Sequence, residues 1–433
     1  MTPFARANRF FVPKLRQVLH FLTKQGIAVA GNLLYGLICV RILPIVDYAK
    51  FAVLFGYMGS LTMLLDIGIS GTLAPLVGEQ IDNLPLIASY VASLRKLTFW
   101  LYLVLLPFAI VCFVLLVHKQ HWGAIVVTQM LATLLVTAWF GRVSSSYGAV
   151  LILRRDRSKY YQVQIIGSLG SLALLAIFWS LHRMNLYVAI LLNVAQVIFL
   201  ASSYYHRAGK LLGVKGQASA SQQKTIVRLV MPNVPNTIFY AFQGQVTLML
   251  ITLFGHSASS VANVGALARL GQILLFFTQM NVILVEPFFA KLQASRLKRI
   301  YLLAVGLVTV SAGAYSSLAF FYPGIFLWIL GPKYGQLRFE VALVVLSSAV
   351  QYLTGFMWVI HSSRRFVYWW VGTSNIVFTV AVEAVFIWKV DLSSVRGVLI
   401  LNLAVAVAAL LVVVAGGVYG FWRGPQKIGH AAT

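Results

Sequence analysis

Apolar residues come in runs of about twenty or more along most of this chain, separated by short polar stretches rich in lysine and arginine. A transmembrane helix needs ~20 predominantly apolar residues. Twelve runs meet that length, at 25–43, 48–77, 97–117, 122–153, 160–181, 185–205, 229–254, 261–290, 300–322, 339–360, 366–388 and 397–421. The pattern predicts an all-α polytopic membrane protein of about twelve transmembrane helices. Several runs exceed the minimum length, which predicts tilt or ends that project beyond the bilayer.

The basic residues test this count. Twelve spans place both termini on one side. The termini and alternate loops of that side carry 24 of the 34 Lys and Arg residues, among them Arg154, Arg155, Arg157 and Lys159. The opposite loops carry eight, and the remaining two, Arg142 and Arg269, fall inside spans. An asymmetry that alternates in step with the spans puts both ends in the cytoplasm. The net charge of +25 therefore reports topology. It forms no continuous basic face, and nucleic acid is not an expected partner.

Composition narrows the class further. The chain is 433 residues long, 60% hydrophobic and only 10% charged, where soluble domains are about 25% charged. Cys39 and Cys112 lie in apolar runs and read as packing residues. The eight histidines show no HExxH or paired ligand spacing, so no metal or cofactor is expected. The first 24 residues are basic and interrupted by Pro13; they read as a cytoplasmic, interfacial segment and not as a cleaved signal.

The longest polar stretch, 206–228, is rich in Gly, Ser, Gln and Lys and reads as a flexible cytoplasmic linker. It divides the chain into an N-terminal six-helix bundle, 1–205, and a C-terminal one, 229–433. The halves echo each other at an offset of 212, which aligns Pro75 with Pro287 and the turn 43–47 with 255–259. Six spans per half make the halves parallel, related by a pseudo-two-fold along the membrane normal.

Polar residues within spans mark the candidate path. Arg142 is the one ionisable residue of span four, with Ser145 and Ser146 a turn on. Arg269, Gln272, Gln279 and Glu286 recur at steps of 3, 7 and 7 on one face of span eight. Asn233, Asn236, Tyr240 and Gln243 recur at 3, 4 and 3 on span seven. An embedded cation costs ~2.5–3.5 kcal/mol even on the lenient insertion scale, so it normally faces a partner or a wet cavity. Amide stripes also bind helices to one another, and Arg142 and Arg269 can each also be read as snorkelling to the nearer surface. Asp66 and Glu286 are candidates for coupling or gating; the alternatives are a structural ion pair or a helix-end group for Asp66 and an ion pair with Lys291 for Glu286.

The segment 31–79 reads GNLLYGLICVRILPIVDYAKFAVLFGYMGSLTMLLDIGISGTLAPLVGE. Its Gly/Asn-bearing first span, the turn R-I-L-P-x-x-D-Y-A-x-F-A and the later D-I-G-I resemble polysaccharide transporters. These are the lipid-linked oligosaccharide (O-antigen-type) flippases of the multidrug/oligosaccharidyl-lipid/polysaccharide (MOP) superfamily. Pro232 and Pro235 at the start of span seven also resemble this family. The turn departs from the family pattern where Pro44 and Ala49 replace common glycines. The resemblance implies two six-helix bundles around a V-shaped cleft. It implies movement of undecaprenyl-diphosphate-linked repeat units across the bacterial inner membrane for surface or exopolysaccharide synthesis, driven by ion exchange (protons or sodium). Implied partners are that glycan lipid, the surrounding membrane lipids, and the polysaccharide polymerase and export machinery. Two other readings are carried: a cation-coupled multidrug exporter of the same superfamily, which calls for an acidic cavity, and a membrane-embedded polysaccharide polymerase or ligase. The nine acidic residues and two embedded arginines disfavour the first; the lack of P-loop, GxSxG and HExxH signatures disfavours an enzyme.

Overall fold

The structure is a computed structural model that describes residues 24–78, 80–154, 157–214, 216–255 and 257–424, apart from the side chains at 157, 233, 275, 276, 279, 282, 283 and 294. The interfacial segment expected near the N-terminus lies outside the described residues. Among those described there are helices and turns and no strand. Among the described residues, ten helices are long and apolar enough to cross a membrane, eleven counting one broken pair as a span. The chain is thus a multi-pass membrane protein.

It divides into two compact units, residues 1–43 with 54–245 and residues 44–53 with 246–433. The first unit holds α1 (Lys24–Ile42) and the later part of α2 (Ile45–Asp66). It continues through α3 (Leu73–Val77), α4 (Leu84–His118), α5 (Ala124–Leu153), α6 (Arg157–Ser180), α7 (Leu186–Leu212), α8 (Ala220–Val230) and α9 (Val234–Gln243). The core gathers Leu73, Ile87, Val91, Leu94, Val150, Leu151, Tyr204 and Ile226. In a bilayer the lipid is as apolar as leucine, so polar bonds and close packing hold helices together. Gln196 of α7 shows this: it donates to Asn32 of α1 at 2.9 Å and accepts from Ser171 of α6 at 3.1 Å.

The second unit holds the start of α2, then α10 (Val246–Phe254), α11 (Ala258–Met280), α12 (Glu286–Lys291), α13 (Ala294–Phe321), α14 (Pro323–Leu330), α15 (Arg338–Ser363), α16 (Trp369–Lys389) and α17 (Val395–Arg423). Here α15 is central, packed against α11, α13 and α17. Gly417 and Gly420 let α17 approach closely: a Cβ at either would stand 2.6 Å from His361 or Phe366. Tyr301 and His361 share a buried hydrogen bond of 3.0 Å beneath that contact.

Four expected segments differ in form. The second span, expected over 48–77, stops as α2 at Asp66, and the chain turns through Ile67 and Gly68 at φ 42° and 84°. The Asp66 carboxylate fixes that turn, accepting from the Ser70 amide at 3.1 Å and its hydroxyl at 2.7 Å. The third span begins thirteen residues before the expected position 97, because Asn83 caps α4, its side chain accepting from the Leu86 amide at 3.1 Å. The seventh span breaks at Gly244–Gln245 between α9 and α10. The eighth passes from α11 into a π-helical stretch, Asn281–Val285, before Pro287 of α12; proline lacks the amide that would continue the α pattern.

The stretch read as a flexible linker is also ordered in part. Its second half forms α8, whose Ile226 is fully buried in the first unit's core. Gln222 of α8 donates to Ser89 at 2.8 Å and accepts from Ser93 at 3.0 Å, both on α4.

Candidate functional site

The first unit holds an open-sided cavity of about 510 Å³ lined by Gly59, Thr62 and Asp66 of α2, Thr98 of α4, and Gly141, Arg142 and Ser145 of α5, with apolar neighbours. Arg142 is 7% exposed. Its Nη1 donates to the Arg95 carbonyl of α4 at 3.1 Å. Its guanidinium lies 4.3 Å from the ring centre of Trp139 and 5.6 Å from that of Phe99. Trp139 precedes Arg142 by three residues, so both project from one face of α5. Phe99 and Tyr102 of α4 meet Trp139 edge-on, at 6.1 and 5.6 Å between ring centres, and hold it in place. Aromatic faces attract a cation without neutralising it.

Asp66 lines the same cavity and makes no ion pair with Arg142. Its carboxylate is taken up by Ser70 and by the Ser145 hydroxyl, which donates at 3.0 Å. The Arg142 Nε has no hydrogen-bond partner. The site therefore presents a buried, positively charged donor, clamped by rings, with donor capacity left over. Such a fork suits a phosphate or carboxylate oxygen pair.

Arg269 is half-buried on α11 in the second unit and donates to Gln272 of its own helix at 3.0 Å. The first part of its expected stripe is thus an intrahelical pair. The side chains of Gln279 and Asn233 lie outside the described residues. Asn236 and Gln243 of α9 are half-buried and Tyr240 is 46% exposed; none of the three lines the Arg142 cavity. Glu286 is half-buried at the start of α12.

Sequence reasoning missed Arg95, Phe99 and Trp139. Arg95 precedes the expected span 97–117; in the structure it is a helical residue of α4 whose carbonyl anchors Arg142. The signal available was the Trp139–Arg142–Ser145 spacing, which puts ring, cation and hydroxyl on one face.

No protein-family model matches the sequence, and no curated protein sequence matches it. Solved structures do. The chain is similar to an inward-facing multidrug resistance MATE family transporter of the MOP superfamily, with a TM-score of 0.66 at 12% identity over 92% of this chain and 94% of that one. It is similar to a MOP superfamily transporter from Pyrococcus furiosus, described as having a binding pocket of reverse polarity that suggests a different function, at TM-score 0.60, 14% identity and 94% of each chain. It is also similar to a eukaryotic MATE transporter, at TM-score 0.57 and 12% identity over 95% and 97%. The fold is that of these transporters.

Proposed function

We propose that this protein is a lipid-linked oligosaccharide flippase: it carries undecaprenyl-diphosphate-linked repeat units from the cytoplasmic to the outer leaflet of a bacterial inner membrane, with both termini in the cytoplasm. The observation that carries this reading is Arg142, a buried cation in a cavity where the carboxylate of Asp66 is taken up by Ser70 and Ser145 and not by the arginine. The Pyrococcus furiosus transporter, described as having a pocket of reverse polarity that suggests a different function, supports using pocket polarity to separate functions within this fold. A cationic drug would meet like charge at Arg142, which costs affinity; a diphosphate would meet a bidentate donor.

In this reading the diphosphate is held by Arg142, with Arg269 serving the second unit, and Gln272, Gln279, Asn233, Asn236, Tyr240 and Gln243 are proposed contacts for sugar hydroxyls. The polyprenyl tail stays in lipid. Alternating exposure of the site to the two sides completes transfer. Asp66 and Glu286 remain proposals for coupling to protons or sodium, and the polymerase and export machinery for partners.

A second reading is a cation-coupled multidrug exporter, favoured by the MATE family neighbours. One experiment separates the two. Lipid-linked sugars are measured in a deletion strain with and without the restored gene. Accumulation of repeat units on the cytoplasmic leaflet, relieved by the gene, is expected. An unchanged lipid-linked pool together with new sensitivity to cationic drugs would replace the flippase with the exporter.

A further inference from the structure

A second cavity of about 560 Å³ lies in the first unit, lined by Arg95 of α4, Tyr147 of α5, Tyr205, His206 and Lys210 of α7, and the chain that follows α7. Two permanent cations and a histidine face one space, and no carboxylate lines it among the described residues. Tyr147 is buried; its hydroxyl receives a 2.8 Å hydrogen bond from Arg95, whose guanidinium stands 5.3 Å from the ring centre. The Tyr205 ring meets Tyr147 edge-on at 5.1 Å. Arg95 is therefore steered by the tyrosine and makes no ion pair among the described residues.

The chain after α7 packs closely on α4. After Gly213, at φ 65°, the chain folds back so that a Cβ on Gly216 would stand 2.0 Å from the Ala88 carbonyl. The Ser219 amide then donates to Ser93 at 3.1 Å. The remaining lining, including Ala88, Val91 and Leu212, is apolar.

Depth follows from helix length. α4 runs 35 residues, ~52 Å at 1.5 Å per residue, against a hydrocarbon core of ~30 Å. Arg95 stands ~35 Å from the far end of α4 by the same rise, farther than the hydrocarbon core is thick. Lysine in the last turn of α7 also suits that helix's carbonyl end, but Arg95 lies within α4 and owes nothing to that effect.

We infer that this cavity is a binding site for a phosphoryl anion at the membrane surface, separate from the Arg142 cavity and independent of what that cavity carries. The apolar lining beside the cations matches an anionic phospholipid headgroup with its first acyl carbons; soluble phosphate shares the chemistry that the cations recognise.

The test is native mass spectrometry of the purified full-length chain titrated separately with short-chain phosphatidylglycerol, short-chain phosphatidylcholine and inorganic phosphate. Variants are Arg95→Gln, Lys210→Gln, Lys210→Arg and, just past the far end of α4, Lys119→Gln. Phosphatidylglycerol is expected to bind, and loss of either cation to weaken it roughly tenfold, the equivalent of one charge-assisted hydrogen bond. Lys210→Arg should restore it and Lys119→Gln, which removes an exposed cation outside the cavity, should leave it unchanged. Inorganic phosphate bound as tightly as phosphatidylglycerol, and weakened by the same variants, would keep the site and assign it a soluble ligand. Equal binding of phosphatidylcholine, or phosphatidylglycerol binding untouched by Lys210→Gln, would overturn the site. Lys210 is exposed, so its variant tests the idea even if Arg95→Gln fails to fold.

Discussion

Replacing Arg142 with methionine should leave the fold about as stable as before while stopping transport. The guanidinium makes one hydrogen bond, to the Arg95 carbonyl, and a bond from a charged donor contributes ~1.5–3 kcal/mol. Its position over Trp139 adds ~1–2 kcal/mol. Against these stand a cost of at least ~2.5–3.5 kcal/mol for an embedded cation and ~1–3 kcal/mol for the buried Nε without a partner. The two sides nearly cancel. Methionine fills similar space and brings no charge, so Arg142→Met should unfold within about 1–2 kcal/mol of the wild type. The assays are thermal unfolding in detergent and membrane abundance, set beside transport measured at matched abundance. A structural brace behaves differently: breaking a paired buried charge costs ~3–5 kcal/mol. A loss of that size, or transport at the wild-type rate, would refute the assignment of Arg142 to the path.

Four further outcomes follow from the geometry. Trp139→Leu removes the ring beneath the guanidinium and should raise the apparent KM for transport about tenfold, the kinetic equivalent of ~1.4 kcal/mol of lost positioning, with abundance unchanged. Asp66→Ala deprives Ser70 and Ser145 of their acceptor and should cost ~2–4 kcal/mol in thermal unfolding. Asp66→Asn keeps an acceptor oxygen and should cost under ~1 kcal/mol, so a change in ion dependence in that variant alone would reveal a coupling role. Gly265→Val drives a Cβ to within 2.6 Å of the Ala52 methyl and should destabilise by ~1–3 kcal/mol through overpacking. Arg396→Ala strands the buried Glu340 carboxylate, bonded at 2.6 Å. It should cost ~1–2 kcal/mol, discounted because Arg396 is exposed, and adding Glu340→Gln should recover most of it.

The helices were legible because hydropathy over twenty residues is a strong, local signal; α5 was expected over 122–153 and occupies Ala124–Leu153. The breaks were not. Asp66 ends α2 by capturing Ser70, a bond that depends on side-chain placement, while the hydropathy runs on past it. The amphipathic α8 was hidden by its Ser, Gln and Lys content, since Ile226 and Val230 are its only two buried residues. Arg142 stood out as an ion in an apolar run. Its clamp did not, because Phe99 and Arg95 belong to another helix and a single sequence carries no trace of which helices touch. Arg95 falls outside the expected span for a related reason: basic residues near span ends read as loop charges, and only the Asn83 cap shows that α4 starts earlier.

The most direct test of the account is side-by-side reconstitution of the wild type and Arg142→Met in proteoliposomes. They would be loaded in one arm with an undecaprenyl-diphosphate-linked saccharide and in the other with a fluorescent cationic drug. Leaflet transfer of the glycan lipid by the wild type, its loss in Arg142→Met and no drug movement by either are the predicted results. Drug movement by the wild type without glycan-lipid transfer would contradict the account and assign the cavity to cation export.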